Sequence, residues 1–110
     1  MPRKPSSVRG STTGRPIMAL LDLLGRRWTL RIIWELREGP LTSRALRAAC
    51  DDLSPTVLQD RLDALREAAF VEQRPGEGYA LTALGGELLD AFAPLYGFAG
   101  RWAATRPDPS

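Results

Sequence analysis

The stretch Leu53-Ser54-Pro55-Thr56-Val57-Leu58-Gln59-Asp60-Arg61-Leu62-Asp63-Ala64-Leu65 decides the fold. Ser54 followed by Pro55 marks a helix start: a serine oxygen can accept from an amide of the first turn, and proline loses nothing where that turn has no amide partner. Leu58, Leu62 and Leu65 then recur at i, i+4 and i+7, one apolar stripe of a helix that runs to about residue 68. Thr56, Gln59, Asp60 and Asp63 point away from the stripe, Val57 lies on its flank and Arg61 beside it. A helix anchored on one side by leucines has its other side free for a partner.

Upstream, Thr42 is placed to cap a helix whose Ala45, Leu46 and Ala49 face inward and whose Arg44 and Arg47 face out. Cys50-Asp51-Asp52 links it to the helix that begins at Ser54. Before it, Arg27 to Glu38 carries Thr29, Ile32, Ile33 and Leu36 as a stripe widened by Trp28, Leu30 and Trp34, the pattern of a central helix packed on several sides. Both tryptophans therefore belong to the core. Gly39-Pro40 ends that helix, and Leu41 falls in a very short strand. The first helix starts at Pro16, presents Ile17, Leu20, Leu21 and Leu24, and stops near Gly25.

Downstream, Phe70–Arg74 and Gly78–Thr82 are extended segments joined by Pro75-Gly76-Glu77, with Tyr79 and Leu81 alternating as in a half-buried hairpin. Thr82 caps a last helix to about residue 104, kinked at Pro94. Leu84, Leu88, Ala91, Leu95, Phe98 and Trp102 form one seam of it, and Leu89, Phe92, Tyr96 and Ala99 an adjacent one. At 1.5 Å per residue it spans roughly 35 Å, longer than so small a domain needs, so part of its apolar surface requires another partner.

Composition excludes whole classes of chemistry. The 110 residues, 44% of them hydrophobic, suffice for one domain, expected over 16–105, with a disordered basic arm over 1–15 and a flexible tail over 106–110. There is no histidine and only one cysteine, Cys50. An internal disulfide, a conventional zinc site and a histidine-based catalytic triad are all impossible, and no glycine-rich phosphate loop is present. No enzyme, cofactor or metal is expected. Asp51 and Asp52 should raise the Cys50 thiol pKa and keep it unreactive. Neither a membrane span nor a secretory leader is found, and a cytoplasmic, nucleoid-associated protein is expected. The net charge is +2, but Arg3, Lys4, Arg9 and Arg15 stand in a segment without acids, while the remainder carries more acids than bases. Attraction to nucleic acid must then come from local patches.

Helix, helix, short strand, helix, helix, hairpin, helix is the order of a mainly α winged helix-turn-helix. Three local words sharpen it. Leu23-Leu24-Gly25-Arg26-Arg27-Trp28-Thr29 resembles the L-x-G-x-[KR]-W-[TS] opening of the HxlR family of bacterial regulators, which are MarR-like. Leu53-Ser54-Pro55-Thr56-Val57-Leu58-Gln59-Asp60-Arg61-Leu62 is similar to that family's I-S-x-x-x-L-x-x-R-L, and Leu81-Thr82-Ala83-Leu84-Gly85 to its L-T-x-x-G. The resemblance covers about residues 15–102 and implies a transcriptional regulator that binds DNA as a homodimer through its first and last helices. Three departures stand out. Oxidant-sensing members carry a cysteine in a C-P-[IV] word where this chain has Arg15-Pro16-Ile17; Ala69 replaces the usual glycine after the recognition helix; and Asp60 stands where a neutral residue is common.

These readings assign roles. Thr56, Val57, Gln59 and Asp60 are the candidates for base contact, because N-terminal residues of a recognition helix meet base edges in the major groove. Glutamine suits adenine, the Thr56 and Val57 methyls suit thymine, and Asp60 could accept from a cytosine amine. Arg26, Arg27, Ser43, Arg44, Arg47, Ser54, Arg61 and Arg74 are candidates for phosphate contact, each weighed against a plain surface role or, for Arg61, a salt bridge. Ile17, Leu20, Leu21, Leu88, Phe92, Leu95, Tyr96 and Trp102 are the candidate dimer interface. The expected partners are a pseudo-palindromic duplex and a second copy of the chain; a cleft of Phe92, Tyr96, Phe98 and Trp102 for a small apolar effector is weighed against plain dimer packing, the favoured reading of those side chains. The competing reading is a winged-helix protein-interaction module, favoured by Asp60, Asp63 and the acidic lean of the body.

Overall fold

Among the residues described by the computed structural model, 15–106, the elements follow the expected order. They are α1 (Pro16–Leu24), α2 (Thr29–Glu35), α3 (Ser43–Ala49), α4 (Pro55–Glu67), β1 (Val71–Arg74), β2 (Gly78–Leu81) and α5 (Ala83–Thr105). Apart from Arg15 and Arg106, the expected basic arm and tail lie outside the described residues.

All three expected caps are made. Thr42 Oγ1 accepts from the Ala45 amide at 3.1 Å, Ser54 Oγ from Val57 at 3.1 Å and Thr82 Oγ1 from Gly85 at 3.0 Å. Each satisfies an amide that the first helical turn leaves without a partner, worth about 1 kcal/mol. Ile32 and Ile33 of α2, Leu46 of α3 and Leu58, Leu62 and Leu65 of α4 are essentially inaccessible and form the centre of the core, which Val71, Tyr79, Leu88 and Phe92 complete.

The central helix is shorter than its apolar pattern. Residues 27–38 were expected to be helical, but Trp28 adopts φ 80°, a left-handed conformation that cannot extend α2 toward Arg27. At the other end Leu36 leaves helical geometry, the Gly39 amide bonds back to Leu36 O, and Gly39 takes φ 143°. Trp28 and Trp34 pack against the core but are only half-buried.

Val71 pairs with Leu81 and Arg74 with Gly78 in an antiparallel hairpin closed by Pro75-Gly76-Glu77. Leu41 adds a one-residue third strand, exchanging 2.9 and 2.8 Å backbone bonds with Tyr79. The expected alternation fails here. Tyr79 and Ala80 are both buried, because Tyr79 enters the core while Ala80 lies beside the α2–α3 connection and the start of α5.

The last helix runs through Pro94 as one element. Its first half is anchored by Leu88 and Phe92, and Tyr96 stacks on Trp34 with ring centroids 4.0 Å apart. From Pro94 to Thr105 no residue is buried.

Candidate nucleic-acid interface

Helices α3 and α4 are joined by a tight turn in which Asp51 and Asp52 both adopt left-handed backbone, φ 57° and 59°. Aspartate tolerates that region better than most residues. The Asp52 amide bonds to Arg47 O at 2.8 Å, and Arg47 Nε donates to Leu53 O at 2.7 Å. Arg47 is therefore a clasp across the turn through its Nε, a contact not expected of it. The clasp fixes where α4 begins relative to α3.

On α4 the expected division of faces holds. Thr56, Gln59, Asp60 and Asp63 are exposed, Val57 is half-buried, and Leu58, Leu62 and Leu65 are buried. The Gln59 amide donates to Asp63 Oδ1 at 2.9 Å, one helical turn on. Asp60 is engaged through one of its two carboxylate oxygens. Its Oδ2 accepts from Arg26 and, at 2.6 Å, from Arg61 Nη1.

Arg61 in turn donates through Nε to Arg27 O at 2.7 Å and its side chain is only 17% exposed. It ties α4 to the α1–α2 connection, so the salt-bridge alternative describes it better than a phosphate contact. Arg26 is committed to Asp60, and Arg74 pairs with Glu72 at 2.8 Å. Ser43 and Arg44 are exposed at the start of α3, and Arg44 makes no hydrogen bond or ion pair among the described residues. Arg27 is exposed with its guanidinium 5.6 Å from the Trp28 ring centroid. Ser54 spends its oxygen lone pair on the cap and keeps its hydroxyl hydrogen for a phosphate. All four are exposed polar groups on the described surface.

The apolar candidates divide as well. Leu88 and Phe92 are buried in the protomer's own core and so are not available to a partner, while Leu20 packs against that core half-buried. Ile17, Leu21, Leu95, Tyr96 and Trp102 are 36% to 53% exposed, together with Met18, Leu84 and Phe98. Met18 had no periodic signal to single it out. The expected effector cleft is altered too: Phe92 is buried and Tyr96 lies against Trp34. Two open clefts have other linings, one around Leu36, Pro40 and Leu89 and one between α1 and α4 around Leu20, Leu23 and Phe70.

Cys50 is fully buried at the end of α3. Burial pushes its thiol up first, with Glu35 and Asp51 adding to the rise and Arg31 opposing it, so the aspartates are secondary. Cys50 in the native protein is accordingly expected to react with a thiol-specific reagent only at the rate of opening; labelling as fast as free cysteine would contradict its burial.

A turn-linked helix pair followed by a hairpin and braced by three helices defines a winged helix-turn-helix. The chain belongs to the HxlR-like helix-turn-helix family, whose model matches residues 23–107. It is 32% identical over 96 residues to the uncharacterized HTH-type transcriptional regulator YvaP of Bacillus subtilis, covering 82% of this chain and 85% of that one. Among solved structures it is similar to a protein described as a possible HxlR family transcriptional factor from Thermoplasma volcanium, with 28% identity and a TM-score of 0.75 over 83% of this chain and 87% of that chain. Quinone-bound YodB from Bacillus subtilis is also similar, with 28% identity and a TM-score of 0.69 over 77% of this chain and 96% of that chain. The family and fold are those of transcriptional regulators. No helix among the described residues is long and apolar enough to cross a membrane.

Proposed function

We propose that this chain acts as a homodimer that binds a pseudo-palindromic duplex and regulates transcription, the first turn of α4 entering the major groove of each half-site. The observation that carries the reading is the outer face of α4, where Thr56 and Gln59 stand exposed on a helix whose three leucines are buried. Arg27, Ser43, Arg44 and Ser54 surround that face and position the backbone without reading sequence. The wing turn is three residues long, which suits contact with the backbone more than deep entry into the minor groove. Sensing through a thiol is not part of this reading, because Arg15 precedes Pro16 and Cys50 is buried.

The test is fluorescence polarisation with a duplex selected by the protein from a randomised library, beside a random duplex. If the dimer neutralises about six phosphates, each doubling of salt should weaken binding about fortyfold. A salt-independent signal, or no binding at any salt, would remove the reading in favour of a protein-interaction module, which Asp60, Asp63 and Glu67 on α4 would suit. On the selected duplex Gln59→Ala is expected to cost about 1 to 3 kcal/mol and much less on the random one. Equal losses on both duplexes would show that Gln59 does not read a base.

A further inference from the structure

The carboxylate of Asp60 is the meeting point of two guanidiniums on the face assigned to DNA, and it comes from the helix assigned to the groove. Its two partners are held differently. Arg61 has its Nε on a main-chain carbonyl and little exposed surface, so it stays in place whether or not Asp60 holds it. Arg26 is 39% exposed, sits just after α1, and its guanidinium pairs with Asp60 alone among the described residues. Like the Asp60 carboxylate, a DNA phosphate offers a guanidinium an anion with two acceptor oxygens. The Nη2 donor that Asp60 holds is withdrawn from a phosphate, and the charge it neutralises is withdrawn with it.

Resting on the DNA-binding reading, we propose that Asp60 is an intramolecular rival of the DNA phosphates for Arg26, and that this competition lowers the protein's affinity for duplex DNA and the steepness of its salt dependence. With Asp60 in place, Arg26 contributes little to counterion release, because its charge is already neutralised before DNA arrives. Without it, each protomer gains one phosphate-seeking cation. Each added phosphate contact steepens the logarithmic salt slope by about 0.9, or about 1.8 for a dimer. An exposed pair of this kind is weak, so two copies change affinity by about two- to thirtyfold, not by orders of magnitude beyond that.

The experiment measures polarisation of the full chain on a random 30-base-pair duplex across a salt series, for wild type, Asp60→Asn and Asp60→Ala, each also in an Arg26→Gln background. Glu67→Gln removes the same charge from the same helix at a residue that pairs with no arginine among the described residues. The expected result is tighter binding and a steeper slope for both Asp60 variants, and loss of both gains when Arg26 is replaced. Glu67→Gln should shift affinity slightly, and equally in the two backgrounds. Three results overturn the proposal: an unchanged slope in both Asp60 variants, gains that persist without Arg26, or a gain from Glu67→Gln that depends on Arg26. Salt-dependent binding by wild type with any of these would sink the rivalry alone. Absence of binding by every variant would sink the DNA-binding reading together with it.

Discussion

Gly85→Ala is expected to lower the melting temperature by about 12 to 24 °C, the equivalent of about 3 kcal/mol in a domain this size. In most helices the same substitution stabilises, since alanine loses less backbone entropy than glycine. Here a Cβ on Gly85 would stand 2.0 Å from Phe70 O and 3.0 Å from Phe70 C, a main-chain obstacle that cannot rotate away. Nor can Phe70 retreat. Its carbonyl accepts from the Thr82 amide at 3.1 Å, and the Ala69 carbonyl accepts from Thr82 Oγ1 at 2.6 Å, so the exit of α4 is bonded to the entry of α5 on both sides of the contact. Ala69 itself holds φ 71°, which leaves that segment little conformational slack. Gly86 is the control: a Cβ there meets nothing within 4 Å, and Gly86→Ala should stabilise by about 0.5 to 1 kcal/mol. Thermal melts of the two variants should move in opposite directions. Equal shifts would mean that the crossing of α4 and α5 is looser than described.

That crossing explains why Leu81-Thr82-Ala83-Leu84-Gly85 is a recognisable word: the threonine caps one helix while holding the end of another, and the glycine lets the two backbones touch. The cap at Thr82 was legible from the sequence, as were those at Thr42 and Ser54, because a cap is a local bond between residues three apart. The leucine stripe of α4 was legible for the same reason. What escaped were contacts between residues far apart in the chain. Nothing local to Asp60 or Arg61 announces that Arg26 and Arg27 lie 34 residues back and within bonding distance, so both seemed available to DNA. Arg47 seemed to face out because helical periodicity places a Cβ but does not say where a long side chain turns. The left-handed Trp28 and the double burial of Tyr79 and Ala80 depend on tertiary packing in the same way. The apolar seam of α5 was visible in outline, yet periodicity could not divide it into Leu88 and Phe92, which the protomer buries, and Leu95 and Trp102, which it leaves exposed.

That division leads to the second large effect. If the proposed dimer forms through this face of α5, Leu95→Asp should raise its dissociation constant about a thousandfold and weaken binding to a two-half-site duplex accordingly. From Pro94 to Thr105 the helix contributes no buried residue to its own protomer, and a free helix of that length is at best marginal in water. Leu95, Phe98 and Trp102 nevertheless present large apolar surfaces along it, each about half exposed, and Ile17, Met18 and Leu21 on α1 do the same. A second copy of the chain would cover both sets and supply the missing support. A dimer with two-fold symmetry contains every substitution twice, so two aspartates would be desolvated without partners. Even about 2 kcal/mol for each gives about 4 kcal/mol, and every 1.4 kcal/mol is tenfold. The monomer should survive, because Leu95 contributes little to its own core, and helical circular dichroism would show this directly. Sedimentation of the variant against wild type then measures the interface, and polarisation on a duplex carrying one half-site separates lost dimerisation from lost groove contact. A variant that remains dimeric at micromolar concentration would place the contact between protomers somewhere other than this face of α5.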